Sequence, residues 1–216
     1  MSDWFYDAVV GFGSGVGRLV SRPTVLHAER VPRRGEFVLA ANHHSPMDVP
    51  VLMYTTRRRL DFLSTEQVMA TPVVGAFYRR FNAVALSRAG RGSDAAAMRR
   101  VVSRLRAGRA LAMFPEGRLT EPARSVTAGG QYRPGLGRLA RLAAVPVVPV
   151  VVLGADTLTR PAAWLPLRRT RFAVAYGEPL AIDADAEPRA AQRDLETRWR
   201  RSMVALMDEL DASGWR

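Results

Sequence analysis

A histidine and an aspartate lie five positions apart in the segment 42–48, which reads Asn-His-His-Ser-Pro-Met-Asp. His43 and Asp48 are residue types that can act together as a general base. A carboxylate that holds a neutral imidazole in one tautomer leaves the other ring nitrogen ready to accept a proton. Such a pair needs no serine or cysteine nucleophile if the substrate brings its own hydroxyl group. The alternative interpretation is a core histidine near an acidic residue that the helix dipole favours in a first turn.

The local sequence predicts how these two side chains can meet. On a continuous helix, residues five apart would point about 140° away from each other and could not easily meet. Pro46 disfavours a helical conformation for Ser45 and suits the first position of a new helix. We therefore predict a strand over the apolar residues 37–41, followed by a tight turn that carries His43. A helix starting near Pro46 would then bring Asp48, in its first turn, back onto the imidazole.

A second motif, Phe-Pro-Glu-Gly-Arg at 114–118, follows the apolar run 110–113. With this motif the chain resembles the glycerophospholipid acyltransferase family, typified by 1-acyl-glycerol-3-phosphate acyltransferases. The resemblance extends over about residues 25–180. Each block of the family is weakly specific alone, but four occur here in order: N-H-x-S-x-x-D at 42–48, a short strand ending in an arginine at 81–88, F-P-E-G at 114–117, and an apolar strand with two prolines at 145–150.

The chain departs from the family in the third block. Where the family has T-R-S, this sequence has Arg118-Leu119-Thr120, so the arginine lies one place early. This difference leaves the exact acceptor open. The basic residue that the family places further along, before a glycine, corresponds to Arg133, two residues ahead of Gly135.

The resemblance implies transfer of a fatty acyl group from a thioester of coenzyme A or acyl carrier protein to a hydroxyl of a lysophospholipid. The expected acceptor is 1-acyl-sn-glycerol-3-phosphate, giving phosphatidic acid. His43 would be the catalytic base and Asp48 would orient it. The expected substrate-binding residues are Arg88, Glu116, Gly117, Arg118 and Arg133.

Each of these substrate-binding residues has an implied role. Arg88 and Arg118 would bind the acceptor phosphate, Arg133 would be a further basic residue of the substrate site, and Glu116 would organise those arginines or a glycerol hydroxyl. The N–H of Gly117 would contribute to stabilising an anion or oxyanion. No resident cofactor is expected, because the thioester is a co-substrate. Three alternatives remain open: an acyltransferase for another lysophospholipid or acceptor, a non-catalytic lipid-binding protein of the same fold, and a hydrolase that uses the same dyad on water.

Composition limits the partners. The chain has 216 residues, no cysteine and three histidines, which argues for one main domain without disulfides and against a catalytic metal. Its formal charge of +12 comes from arginine, since no lysine occurs. Arginine binds phosphate well, so the expected partners are the lysophospholipid acceptor, acyl-CoA or acyl carrier protein, and an anionic membrane surface. The motifs of nucleic-acid-binding proteins are missing, and we expect no nucleic acid partner.

The N-terminal segment is apolar but has no run of about 18 apolar residues, so a spanning helix is not expected. With Trp4, Phe5, Tyr6 and Phe12 as apolar anchors, residues 1–22 are predicted to form an amphipathic interfacial segment. Residues 23–216 are predicted to form the acyltransferase domain. These features together predict a peripheral protein on the cytoplasmic face of the membrane.

Strand-like and helical stretches alternate along the chain, which predicts an α/β fold. The expected architecture resembles a three-layer sandwich, with a largely parallel or mixed sheet flanked by helices and an N-terminal interfacial helix. Both motifs follow strands directly, and ligands of such sheets bind beyond the carboxyl ends of the strands. The segment 121–131, rich in Pro, Ala, Ser, Thr and Gly, is predicted to be a flexible surface loop. Strands are predicted at 37–41, 60–63, 83–86, 111–114, 147–153 and 171–176, and helices at 46–58, 66–81, 94–107, 135–144 and 188–210.

Overall fold

A mixed seven-stranded sheet forms the centre of the protein in the computed structural model, which describes residues 3–81, 83–86, 93–164 and 169–215. The strands pair in the order β1-β7-β6-β2-β5-β3-β4. Their bounds are β1 (Ser21–Leu26), β2 (Phe37–Ala41), β3 (Leu60–Thr65), β4 (Val84–Leu86), β5 (Ala110–Met113), β6 (Val147–Leu153) and β7 (Thr170–Tyr176).

Strand direction brings the two sequence motifs to one edge of the sheet. β2 pairs in parallel with both β5 and β6, and β3 continues the parallel arrangement with β5 and β4. β7 runs antiparallel to β6 and parallel to β1. The carboxyl ends of β2 and β5 are therefore neighbours, and the segments that follow them carry the histidine motif and the Phe-Pro-Glu-Gly motif.

Helices cover both faces of the sheet, because the strand side chains are apolar on both faces. Along β2, Phe37, Leu39 and Ala41 pack into one apolar cluster, and Val38 and Ala40 pack into the other. The helices are α1 (Asp3–Val20), α2 (Asp48–Thr55), α3 (Glu66–Met69), α4 (Pro72–Arg80), α5 (Ser93–Arg106), α6 (Leu136–Ala143) and α7 (Pro188–Ala212). Helices α1, α2 and α4 contribute to the first cluster, and α5, α6 and α7 contribute to the second. This arrangement confirms the predicted α/β sandwich.

The structure differs from the sequence prediction at residues 66–81 and at β1. The single helix expected over 66–81 is two helices, α3 and α4, separated at Thr71. Pro72 disfavours the helical conformation in the residue before it and starts the second helix. Strand β1 was not predicted, because Arg22 and Pro23 interrupt its apolar pattern. Proline is tolerated there since β1 is an edge strand, which pairs only with β7 among the described strands.

Helix α1 occupies the N-terminal segment that was predicted to be interfacial, and β1 begins directly after it at Ser21. Trp4, Phe12 and Leu19 are exposed by 69%, 78% and 56%. The prediction that Tyr6 is an apolar anchor is wrong. Tyr6 is buried, and its hydroxyl accepts a hydrogen bond from the Leu60 N–H at 3.1 Å.

The side chain of Phe5, the remaining predicted anchor, lies outside the described part of the structure. None of the helices in the described part of the chain is long and apolar enough to cross a membrane.

Candidate active site

Asn42 fixes the point at which the chain leaves β2. Its side chain is fully buried, donates through Nδ2 to the Val152 carbonyl (2.8 Å) and accepts through Oδ1 from the Val152 N–H (2.7 Å). These two bonds continue the pairing of β2 with β6 beyond the last backbone ladder partner, Ala41. The direction of the following residue, His43, is thus set by the sheet itself.

Asp48 organises the turn after β2. Its Oδ2 accepts hydrogen bonds from the N–H of His44 (2.8 Å), the N–H of Ser45 (2.9 Å) and Nδ1 of His43 (2.9 Å). The carboxylate is fully buried. The contact between His43 and Asp48 that the spacing predicted is therefore present. Helix α2 begins at Asp48, two residues later than expected, because Pro46 and Met47 form the turn.

The imidazole of His43 is held in a defined orientation. Its ring stacks on Phe114, with centroids 4.0 Å apart and an interplanar angle of 16°. Because Asp48 accepts from Nδ1, a neutral imidazole here carries its lone pair on Nε2. That nitrogen makes no hydrogen bond to any residue that the structure describes. The side chain is 17% exposed, so the ring is positioned by protein contacts and still reaches solvent.

Glu116 connects the second motif to the first. Its Oε2 accepts a hydrogen bond from the His43 N–H at 3.0 Å. Its Oε1 accepts from the Ser125 hydroxyl (2.6 Å) and the Val126 N–H (2.8 Å). The side chain is only 4% exposed. These contacts hold the backbone of the histidine, and none of them involves an arginine.

The segment 121–131 is not the flexible surface loop that its composition predicted. It contains two short 3-10 helices, Pro122–Arg124 and Val126–Ala128, and Ser125 and Val126 are completely buried. The segment lies next to the histidine turn because Glu116 bonds to both. Thr120 adds a further link, since its N–H donates to the His43 carbonyl at 2.8 Å. Sequence reasoning missed Ser125 and Thr120, because small polar residues in a loop-like composition give no signal of burial.

Gly117 occurs where the backbone is left-handed, with φ of 67°, a conformation that favours glycine. Its N–H donates to the Phe114 carbonyl at 2.9 Å. This bond engages the same N–H that is expected to contribute to anion or oxyanion stabilisation. Glycine also suits this position because there is no room for a side chain. A Cβ at this position would lie 2.7 Å from Cδ of Arg133, so the arginine side chain runs directly over the glycine.

The predicted arginines lie at the outer side of this site. Arg118 and Arg133 are exposed, and the Arg133 N–H donates to the Pro115 carbonyl at 2.8 Å. Arg88 lies outside the described residues. The structure thus brings His43, Asp48, Glu116, Gly117, Arg118 and Arg133 together at the carboxyl ends of β2 and β5.

Two neighbouring groups show the electrostatic character of this turn. Burial lowers the pKa of His44, although the negative charge of Asp48 acts in the opposite direction. Burial also raises the pKa of Tyr78, and the charge of Asp48 adds to that effect. The direction of each shift favours the neutral form of both groups at pH 7.

The described residues contain no group of three or more histidine, aspartate or glutamate side chains arranged to hold a metal ion.

Comparison with known proteins adds independent findings. A family model described as Acyltransferase matches residues 22–153, more than half of the chain. A comparison with curated proteins found no match. Among solved structures, the chain is similar to the crystal structure of the 1-acyl-sn-glycerophosphate (LPA) acyltransferase PlsC from Thermotoga maritima. The TM-score is 0.69 and the sequence identity 24%, over 98% of this chain and 84% of that chain. At this identity the structural match is evidence for a shared fold.

Proposed function

Because the chain belongs to the acyltransferase family, we propose that this enzyme transfers a fatty acyl group from a thioester to a hydroxyl of a lysophospholipid. The proposed donor is acyl-CoA or acyl-acyl carrier protein, and the proposed acceptor is 1-acyl-sn-glycerol-3-phosphate, which would give phosphatidic acid. The printed activity of the structurally similar PlsC supports this acceptor. The single observation that carries the proposal is the 2.9 Å contact of His43 Nδ1 with the buried Asp48.

The proposed chemistry uses the Nε2 lone pair of His43. Nε2 accepts the proton of the acceptor hydroxyl while that oxygen attacks the thioester carbonyl carbon. The tetrahedral intermediate collapses with cleavage of the C–S bond, and the leaving sulfur takes the proton back from the imidazolium. Asp48 stabilises the imidazolium and keeps Nδ1 protonated throughout. Positioned proton transfer of this kind supplies about 10²–10⁴ in rate.

The acceptor phosphate is proposed to bind the arginines next to this dyad. Arg118 follows Gly117 in the turn that also carries Phe114, and the side chain of Arg133 runs over Gly117 in the same turn. Arginine suits this role because its guanidinium group can bind two phosphate oxygens at once. Arg88 is proposed to take part on the basis of the second sequence block alone. Glu116 is proposed to act indirectly, by holding the His43 backbone.

We also propose a peripheral position on the membrane, on its cytoplasmic face. Lysophospholipid and product are both amphiphiles, so the enzyme must reach a bilayer surface to exchange them. Trp4, Phe12 and Leu19 are exposed and lie within about 80° of one another around α1, given 100° per residue. An apolar stripe of this kind on a surface helix is typical of interfacial binding.

The decisive experiment is a screen of purified protein with both donor classes against a panel of lysophospholipids. The proposal expects ester product with 1-acyl-sn-glycerol-3-phosphate and none without an acceptor. Ester formation with a different lysophospholipid would keep the acyl transfer and replace the acceptor. Release of free fatty acid at the same rate with and without acceptor would instead identify a hydrolase. Binding of lipid without turnover of any donor would identify a lipid-binding protein.

A further inference from the structure

A buried glutamate on α7 contacts the segment that carries Arg133, although no sequence motif points to it. Glu196 is 8% exposed and lies on the face of α7 that packs against the sheet. The other buried residues of that helix are apolar: Ala191, Leu195, Trp199, Met203, Leu206 and Leu210. A buried carboxylate costs free energy unless hydrogen bonds compensate it. A glutamate at this buried position therefore needs specific hydrogen-bond donors.

The partners of Glu196 all belong to residues around Arg133. Its Oε1 accepts hydrogen bonds from the N–H of Gly135 (3.0 Å) and the N–H of Gly137 (3.0 Å). Its Oε2 accepts a longer bond from the Tyr132 hydroxyl (3.4 Å). Gly135 is the N-cap of α6 and has no side chain to satisfy the free N–H groups there. The carboxylate of Glu196 supplies that cap from another helix and places negative charge at the positive end of the α6 dipole.

Close packing keeps α6 against the helix that carries Glu196. A Cβ at Gly137 would lie 2.6 Å from the Gln192 carbonyl oxygen, so only glycine allows this approach of α6 to α7. The ring of Tyr132 packs edge to face against Trp199, with centroids 5.3 Å apart. Trp199 in turn donates from Nε1 to the Ala40 carbonyl at 3.0 Å, in the strand that leads to the histidine turn. Through these contacts, the segment 132–137 is held in place relative to β2, the strand that leads to the candidate base.

Arg133 lies between this anchor and the Phe-Pro-Glu-Gly turn. Its N–H is bound to the Pro115 carbonyl, and its side chain passes over Gly117. Glu196 fixes the residues on either side of it. We propose that Glu196 is a positioning residue, which holds the guanidinium group of Arg133 in place for the acceptor phosphate. This inference rests on the proposed function, because it assumes that Arg133 binds that phosphate.

The test compares two replacements of Glu196 with a control on the same helix. Glu196→Gln keeps an oxygen that can accept from both glycine N–H groups, whereas Glu196→Ala removes it. Asp194→Ala is the matched control, because Asp194 is exposed and pairs only with Arg198 among the contacts described for its side chain. Each variant is assayed with acyl-CoA and 1-acyl-sn-glycerol-3-phosphate, and its thermal unfolding is measured alongside.

The expected result is a change in acceptor KM with little change in kcat. Displacing a binding group by about 1 Å can cost up to about 100-fold, so we expect Glu196→Ala to raise the acceptor KM about tenfold. The acceptor KM of Glu196→Gln and of Asp194→Ala should stay within about twofold of the wild type. In both variants, residue 196 keeps a side-chain oxygen that can accept hydrogen bonds from Gly135 and Gly137. The donor KM should not change in any of these variants. A fall in kcat at unchanged acceptor KM would overturn the proposal and leave Glu196 a structural role.

Combination with Arg133→Ala separates this inference from the proposed function. If Glu196 acts through Arg133, Glu196→Ala should raise the acceptor KM no further in the Arg133→Ala background. An undiminished rise there would overturn the positioning role. A wild-type acceptor KM for Arg133→Ala alone would instead refute the proposed phosphate contact. If Glu196→Ala fails to fold, Glu196→Asp replaces it, since the shorter carboxylate keeps the charge and moves away from both glycines. A wild-type acceptor KM for that folded variant would also overturn the proposal.

Discussion

At the scale of single residues, the Asp48 carboxylate orients the His43 ring through a 2.9 Å contact, and the proposed mechanism treats the two side chains as one chemical unit. We predict that His43→Ala and Asp48→Asn each lower kcat by about 10²–10⁴. The double variant should lose little more than either single variant, because each change disables the same unit. The measurement is ester formation from thioester and lysophospholipid under saturating conditions.

A histidine outside the site provides the control for that prediction. His27 follows β1 and lies 2.9 Å from Glu209. Because β1 runs antiparallel to β2, His27 lies at the opposite edge of the sheet from His43 and Asp48. His27→Ala should keep its kcat within about twofold, the usual range for a change that touches no reacting group. Near-normal acyl transfer by a folded His43→Ala protein would refute the proposed mechanism.

The arginine prediction also belongs to the residue scale. Arg118→Ala and Arg88→Ala should each raise the acceptor KM, because loss of a charge-assisted hydrogen bond costs about 1.5–3 kcal/mol before salt screening. Arg57→Ala is a matched control, since Arg57 is exposed and follows α2 at the opposite edge of the sheet. Its acceptor KM should equal that of the wild type. Wild-type acceptor kinetics in both Arg118→Ala and Arg88→Ala would place the phosphate elsewhere.

At the scale of elements, the candidate base is held by three chain segments that meet at Glu116. We predict that Ser125→Ala destabilises the protein by about 1–3 kcal/mol, because a buried carboxylate oxygen loses a hydroxyl donor. It should also lower kcat, since the same carboxylate holds the His43 N–H. Chemical unfolding and steady-state kinetics measure the two effects. Ser103→Ala, at an exposed serine of α5, should change neither. A Ser125→Ala protein with wild-type stability and kcat would show that Glu116 needs only its backbone donors.

Local pattern predicted those elements in which neighbouring residues determine the structure. The strand, turn and contact of His43 with Asp48 follow from an apolar run, a proline and a spacing of five. The position of Ser125 could not be predicted in this way, because its burial depends on a bond to Glu116, nine residues earlier. The role of Glu196 depends on Gly135 and Gly137, about sixty residues away in sequence. Contacts of this kind follow from the fold and leave no periodic signal in the chain.

At the scale of the whole molecule, helix α1 and the α5–α6 pair lie on different faces of the sheet. Helix α1 exposes its apolar stripe on the face that it shares with α2, while α5 and α6 lie on the opposite face of the sheet. The described sequence of α6 has two arginines and no acidic residue. If α1 lies on a bilayer, the α5–α6 face points away from it. The overall charge of +12 then acts on the anionic surface as a long-range attraction, and the apolar stripe acts at contact.

The positive overall charge and the apolar stripe of α1 together predict salt-sensitive binding to anionic vesicles. Each well-placed arginine adds about 1 kcal/mol of attraction to an anionic surface, and salt screens this term. Trp4→Ser and Phe12→Ser should each weaken binding, since both side chains are largely exposed on α1. Sedimentation with vesicles of anionic or neutral lipid, at low and high salt, measures the effect.

Point variants in α1 are sharper than removal of residues 1–20, because Tyr6 and Val20 are buried and their loss would open the core. Leu142→Ser is the matched control, since Leu142 is also exposed (43%) but lies on α6. It should bind vesicles as the wild type does if α1 is the contacting helix. Equal binding to neutral and anionic vesicles at every salt concentration would show that the arginines do not attract the protein to anionic lipid. The arginines would then serve another partner, for which an acidic carrier protein is the natural candidate.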